Sequence, residues 1–253
     1  MIRKQIHPNF KSDELTLDHF ITHFEEEGEP FGNQDRNALK LFSLNDISIN
    51  VKSFKIPNLI NKVVYRFFRK SKAQRSFEYA NRLTELGIGT PQPIAYYEFI
   101  KPFWFSKSYY ISQHLDYDLT YRELTMDLNI PDHDNMLRAF TRFTYLLHEK
   151  GVNFLDHSPG NTLIKKNHDE YQFYLVDLNR MEFKSLSLED RIKNFSRLTI
   201  HRSMVETMSD EYAKLGGYDY NEVVELMWKI TESFQEKFHR KRRLKKTLKF
   251  WKK

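Results

Sequence analysis

Asn153-Phe-Leu-Asp-His-Ser-Pro-Gly-Asn-Thr-Leu-Ile164 (NFLDHSPGNTLI) sets an aspartate and an asparagine five positions apart, around a Pro-Gly turn and between two apolar runs. Asp, Ser, Pro, Gly and Asn all favour turns, so the loop alone could be simple turn chemistry. The next fifteen residues give it more meaning. Thr162–Lys166 reads as a short strand, Asn167–Glu170 as a polar turn and Tyr171–Val176 as a returning strand that ends at Asp177-Leu-Asn179. In an antiparallel hairpin around that turn, facing residue numbers sum to about 338, which predicts Asn161 opposite Asp177. An amide oxygen and a carboxylate at one open end of a hairpin suit Mg²⁺, which takes few protein oxygens and draws its other ligands from phosphate and water. Asp156 lies just upstream. Phosphoryl transfer needs this set: a carboxylate on the metal that bridges nucleotide phosphates, an amide for a second metal, and a separate carboxylate to orient the attacking hydroxyl. The kinase catalytic loop spaces its Asp and Asn as Asp156 and Asn161 are spaced.

Outward from this centre the chain divides near residues 114–120. Before it, His19–Glu26, Ala38–Leu44, Ile47–Phe54, Pro93–Ile100 and Ser108–Gln113 read as strands, with Asn45-Asp46 as a hairpin turn. One helical stretch in two pieces, Asn58–Leu86, interrupts them. Val63, Val64, Phe67 and Phe68 give the first piece its apolar face, and Gly87 and Gly89 stop the second. After the divide come helices over Met136–Lys150, Leu188–Leu198, Ser203–Leu215 and from Asn221 onward. The expected fold class is α+β: a strand-rich N-terminal lobe over 1–115, a mostly helical lobe over 116–234 and a basic tail over 235–253.

Composition narrows the function classes. The 253 residues are 40% apolar and 15% aromatic, enough for a full core. There is no cysteine, which removes disulfides and thiolate metal sites. The first ten residues, MIRKQIHPNF, lack an apolar signal core, and no apolar run is long enough to span a bilayer. Net charge is +6, but residues 235–253 carry ten Lys/Arg and one Glu, a net +9. The remaining 30 Lys/Arg and 33 Asp/Glu leave the body at −3. Nucleic acid is not the expected partner of such a layout. In the tail, Leu244, Leu248 and Trp251 stand at i, i+4 and i+7 among cations, a pattern that suits an anionic membrane surface. His148, His157 and His168 show no ligand spacing and read as turn or helix-end residues.

The stretches HEKGVNFLDHSPGNTLI (148–164), YLVDLNR (174–180) and RKSKAQRSFEYANRLTELGIGTPQPIAYYE (69–98) resemble bacterial lipopolysaccharide core kinases of the Kdo/heptose kinase family. The resemblance covers about residues 38–200 and implies a two-lobed protein-kinase-like fold. It implies ATP and Mg²⁺ as cofactors and a lipopolysaccharide core or lipid A-linked sugar as acceptor. It places the protein in the cytoplasm, peripheral on the inner face of the cytoplasmic membrane. Asp156 would be the base, and Asn161 and Asp177 would hold metal. Lys52, in Ile-Asn-Val-Lys52, would contact the nucleotide phosphates, with Lys55 as fallback. Glu78 would position Lys52, with Glu85 second. Gln113 to Asp116 would form the hinge, where main-chain groups of Gln113 and Leu115 meet adenine.

Four features depart from protein kinases. Gly28 and Gly32, flanked by Glu27 and Glu29, replace the glycine-rich loop, and Phe154 stands where a His precedes the catalytic Asp. Asp-Leu-Asn179 replaces Asp-Phe-Gly; Asn tolerates a left-handed backbone better than most residues. Only about ten residues separate Asp177 from the next helix, too few for a protein-kinase activation segment. A sugar or other alcohol acceptor fits better than a polypeptide. A kinase for a soluble alcohol, of the aminoglycoside or choline kinase-like type, and a pseudokinase binding module remain the alternatives.

Overall fold

The computed structural model describes residues 1–32, 37–56, 59–168 and 170–250. The chain forms two compact units. One is Met1–Asp116 with Val176–Asn179; the other is Tyr117–Leu175 with Arg180–Lys253.

The first unit carries β1 (Ile2–Ile6), α1 (Glu14–Thr22), β2 (Glu29–Pro30), β3 (Asn37–Leu44), β4 (Ile47–Phe54), α2 (Leu59–Phe67), α3 (Lys72–Glu85), β5 (Pro93–Ile100) and β6 (Phe105–Gln113). The strands form one antiparallel sheet in the order β1-β5-β6-β4-β3-β2. The Asn45-Asp46 turn joins β3 to β4, with Asn45 at a left-handed φ of 52°. Strand alternation sends Ile49 and Val51 to one face, into a core with Leu17, Phe20, Ile21 and Phe24 of the N-terminal segment. Asn50, Lys52 and Phe54 take the other face, where Phe54 packs with Ala73 and Phe77 of α3. Ser71 caps α3 by accepting from the Gln74 N–H at 3.0 Å, and Gly87, at φ +66°, ends it.

Two expectations for this unit are corrected, and one strand appears that the sequence pattern does not announce. His19–Glu26 is not a strand: α1 runs over Glu14–Thr22, because Leu17, Phe20, Ile21 and Phe24 repeat at helical spacing and all point into the core. Ile2–Ile6 is a strand with no clear alternation in its sequence to announce it. Phe67 and Phe68, expected on the buried face of α2, are exposed.

The second unit holds β7 (Leu119–Thr120), α4 (Tyr121–Met126), α5 (His133–Glu149), β8 (Val152–Phe154), β9 (Thr162–Asn167), β10 (Glu170–Leu175), β11 (Met181–Phe183), α6 (Leu188–Lys193), α7 (Arg202–Gly216) and α8 (Tyr220–Phe250). Its core gathers Leu137 and Phe140 of α5, Ile192 of α6, Met208 and Tyr212 of α7, and Val223 and Met227 of α8. Helix α6 stops at Lys193, short of the expected Leu198, because the Asn194 side chain is drawn off to Asn153, Phe154 and His157.

Candidate active site

Lys52 is held on the α3 face of β4, between β3 and β6. Its ammonium meets Asp177 Oδ1 at 2.7 Å, across 125 residues of chain, and lies 5.4 Å from the Phe54 ring centroid. Lys55, the fallback, is exposed on the opposite alternation. Asn179 Nδ2 donates to the same Asp177 oxygen at 2.8 Å. Burial pushes the Asp177 carboxyl up, but the Lys52 charge and the hydrogen bonds from Lys52 and Asn179 outweigh it and hold the group below its ordinary value. Asp177 itself takes the left-handed backbone, with φ of 58°; Asn179, the residue expected to adopt that conformation, does not.

Glu78 does not position Lys52. It accepts from Lys70 at 2.8 and 2.9 Å and from Gln74 at 3.0 Å. Lys70 precedes the α3 cap and folds back over the second turn, where it takes the carboxylate, while Asp177 serves as the counter-ion of Lys52. Glu85, the second choice, is exposed. At the end of β6 the Gln113 N–H goes to Gln92 O at 2.9 Å and the His114 N–H to Ser48 O at 2.8 Å. The Gln113 main-chain N–H is therefore not available to a base. The Leu115 N–H has no hydrogen-bond partner among the described residues. Gly28, at φ +81°, has a packing reason of its own: a Cβ there would stand 2.5 Å from the Phe42 ring. Residues 33–36, which follow Gly32, lie outside the described residues.

In the second unit the loop from β8 to β9 is built from beneath. Phe154 is fully buried and paired with Met181 of β11. Leu155 and Asp156 turn, and Pro159–Asn161 make a single 3₁₀ turn into β9. Asn161 Nδ2 donates to Asp156 O at 2.8 Å, closing the five-residue loop. His157 points into the core. Asn194 Nδ2 donates to Asn153 Oδ1 at 2.8 Å and Phe154 O at 3.0 Å, which turns its Oδ1 toward His157 Nδ1, 2.8 Å away. That imidazole nitrogen therefore carries the proton. Burial pushes the His157 imidazole down to about 4, so it is neutral and structural. His168 sits at the β9–β10 turn with φ of 53°.

The β9–β10 register differs by one from expectation. Asn167 faces Glu170 and Thr162 faces Leu175, so facing numbers sum to 337. The ladder ends there, and Asn161 belongs to the 3₁₀ turn rather than to a strand pair with Asp177.

Arg197 is a site residue that sequence reasoning missed. Its Nη1 meets Asp156 Oδ1 at 2.7 Å, and its guanidinium lies 5.4 Å from the Phe234 ring centroid on α8. It stands four positions after α6, in a segment whose pattern reads as ordinary helix.

The donor set can be tested against Mg²⁺. Asp177 engages one oxygen with Lys52 and Asn179, and Asn161 engages its amide nitrogen with Asp156 O. Asp177 Oδ2 and Asn161 Oδ1 have no partner among the described residues. Each side chain, taken by itself, is fixed by one atom and offers a hard oxygen with the other, the donor type this cation takes.

The sequence matches the family described as "Lipopolysaccharide kinase (Kdo/WaaP) family" over residues 55–225. Asp156, Asn161 and Asp177 fall inside that span; Lys52 lies just before it. No curated protein matches. Among solved structures, one described as "WaaP in complex with acyl carrier protein" is 16% identical, with 94% of this chain and 98% of that chain covered and a TM-score of 0.65. A MAP kinase, LmaMPK10 from Leishmania major, is also 16% identical, covering 84% and 66% of the two chains with a TM-score of 0.49. The fold is the protein-kinase-like α+β architecture, with a sheet-rich N-terminal part and a helical C-terminal part. The chain is a kinase and belongs to the Kdo/WaaP lipopolysaccharide kinase family.

Proposed function

We propose that the chain transfers the γ-phosphoryl group of ATP to a hydroxyl of a Kdo or heptose in the lipopolysaccharide inner core. The observation that carries this reading is the 2.7 Å pair between Lys52 and Asp177. It joins a fixed cation to a fixed carboxylate that still has an oxygen to give, as nucleotide phosphates and their metal require. Lys52 would contact the α/β-phosphates. The Leu115 N–H would meet the adenine. Mg²⁺, held by Asp177 and Asn161, would neutralise charge on the phosphates. Asp156 would orient the acceptor hydroxyl and take its proton as the oxygen–phosphorus bond forms and the bond to ADP breaks.

The basic end of α8 supports a place on an anionic membrane surface. No described helix is long and apolar enough to cross a membrane. Of the apolar stripe named from the sequence, Leu244 is exposed. The Leu248 side chain and Trp251 lie outside the described residues.

Mass spectrometry of lipopolysaccharide cores from cells with and without the protein tests the reading. One phosphate's difference on an inner-core sugar is expected. Identical cores, together with no transfer from ATP to isolated core in vitro, would reject it. Transfer from ATP to a soluble alcohol in an acceptor screen, with none to core, would favour a soluble-alcohol kinase instead.

A further inference from the structure

Beside the Asp156 loop, wholly within the second unit, lies a cavity of about 390 Å³. That volume admits a sugar unit, not a folded polypeptide. Its back wall is the fixed network of Asn194 and His157, both buried. Six charged residues border it: Arg180, Glu182, Lys184, Asp190, Lys193 and Arg197. Both acids are already within ion-pair distance of Lys184, at 3.2 and 3.7 Å. The side chains of Arg180 and Lys193 have no partner among the described residues. The four cations and two acids of the lining sum to +2, and Arg180 and Lys193 are in no ion pair among the described residues, which makes the concavity a complement for an anion.

Arg197 ties this cavity to the chemistry. A guanidinium has five donors in a fixed plane. Only Nη1 of Arg197 is engaged, with Asp156, so Nε and Nη2 have no partner among the described residues. One edge of a rigid fork holds the carboxylate, and the other is free for a second anion.

We infer that this cavity seats the anionic group of an acidic sugar acceptor, a carboxylate or a phosphate, with Arg180 and Lys193 binding it and Arg197 spacing it from Asp156. The inference rests on the reading of Asp156 as the base. It adds what the acceptor must carry: a negative charge in addition to the hydroxyl to be phosphorylated.

The test is binding to the full chain without nucleotide, measured by isothermal titration with Kdo, glucose 6-phosphate and glucose as probes. Binding of Kdo or glucose 6-phosphate but not glucose is expected, and whichever binds names the carboxylate or the phosphate as the source. The Arg180→Ala/Lys193→Ala variant should bind about tenfold to a hundredfold more weakly, the loss of charge-assisted hydrogen bonds. It should also raise KM for core acceptor while kcat and KM for ATP stay as they were. Asp156→Asn should bind the probes as the parent does. No binding of any probe, equal binding of glucose, or an unchanged affinity in the double variant would overturn the inference. Turnover that persists in Asp156→Asn would instead reject the assignment of the base while leaving the binding result intact.

Discussion

A φ of +58° is uncommon outside glycine, and Asp177 holds that conformation just after β10 ends. Asp and Asn are among the few residues that tolerate it, since their short polar side chains bond locally. An alanine here would change both the backbone preference and the chemistry; Asp177→Asn changes the chemistry alone. The expected outcome for Asp177→Asn is an unchanged melting temperature, within a few degrees, and loss of metal-dependent turnover. Asp156→Asn should lower kcat by about 10²–10⁴-fold, the usual contribution of a general base, while nucleotide affinity stays constant. Steady-state kinetics beside nucleotide titration checks both. At this scale Asp156, Asn161 and Asp177 stand out in the sequence because they sit at a characteristic spacing. Glu78 misleads because nothing in the sequence shows Lys70 turning back to claim it. Arg197 stays hidden because a basic residue near a helix end has no signature until its partner is seen.

Gly151 connects α5 to β8 at φ +69°, and a Cβ at that position would lie 2.9 Å from Lys184 O. The same turn accepts the Lys184 N–H on Gly151 O at 2.8 Å, so neither backbone can move aside without losing a bond. Gly151→Ala should therefore destabilise the protein by about 1–3 kcal/mol, read as a lower urea midpoint at constant slope. The element scale is also where periodicity both helps and misleads. The β3–β4 hairpin and α3 stand out because alternation, turn chemistry and terminators agree. Helix α1 does not: His19–Glu26 has both a weak alternation and a helical repeat, and only the core position of Leu17 settles between them. The end of α6 is invisible for a different reason. Asn194 leaves the helix to bond Asn153, Phe154 O and His157, and such competition for side-chain amides is set by residues 37 to 41 positions away.

For the molecule as a whole, two buried imidazoles govern the response to acid. Burial pushes His148 down to about 3 and His157 to about 4, against about 6.5 in an unfolded chain. Between pH 6.5 and 4 the unfolded state therefore binds protons the folded state refuses, so their contribution is full above pH 6.5 and is lost as pH falls. For His157 the loss is on the order of 3 kcal/mol by pH 4. Asp177, held below its ordinary value, adds to the decline only at more acid pH. The melting temperature should fall steadily from pH 7 to 4, and His148→Gln, which can still meet Tyr212, should flatten part of that slope. Truncation after Phe234 should leave a folded protein that no longer co-sediments with anionic liposomes; unchanged sedimentation would reject the surface role. The shift from a strand-rich first part to a mostly helical second part is readable from patterning, because period-2 stretches such as Ile47–Phe54 dominate before residue 114 and helical ones such as Met136–Lys150 after it.

Helix α8 is unbroken from Tyr220 to Phe250, about 46 Å at 1.5 Å per residue. Its first turns are anchored in the core by Val223 and Met227, and Phe234 midway lies over the guanidinium that grips Asp156. The cationic end is thus a stiff outrigger and not a loose tether. A tether would let the enzyme tumble above a bilayer at any height. On the proposed membrane surface, a strut rooted beside Asp156 would set one standoff and one orientation, and would turn the search for a lipid-borne sugar into a two-dimensional scan.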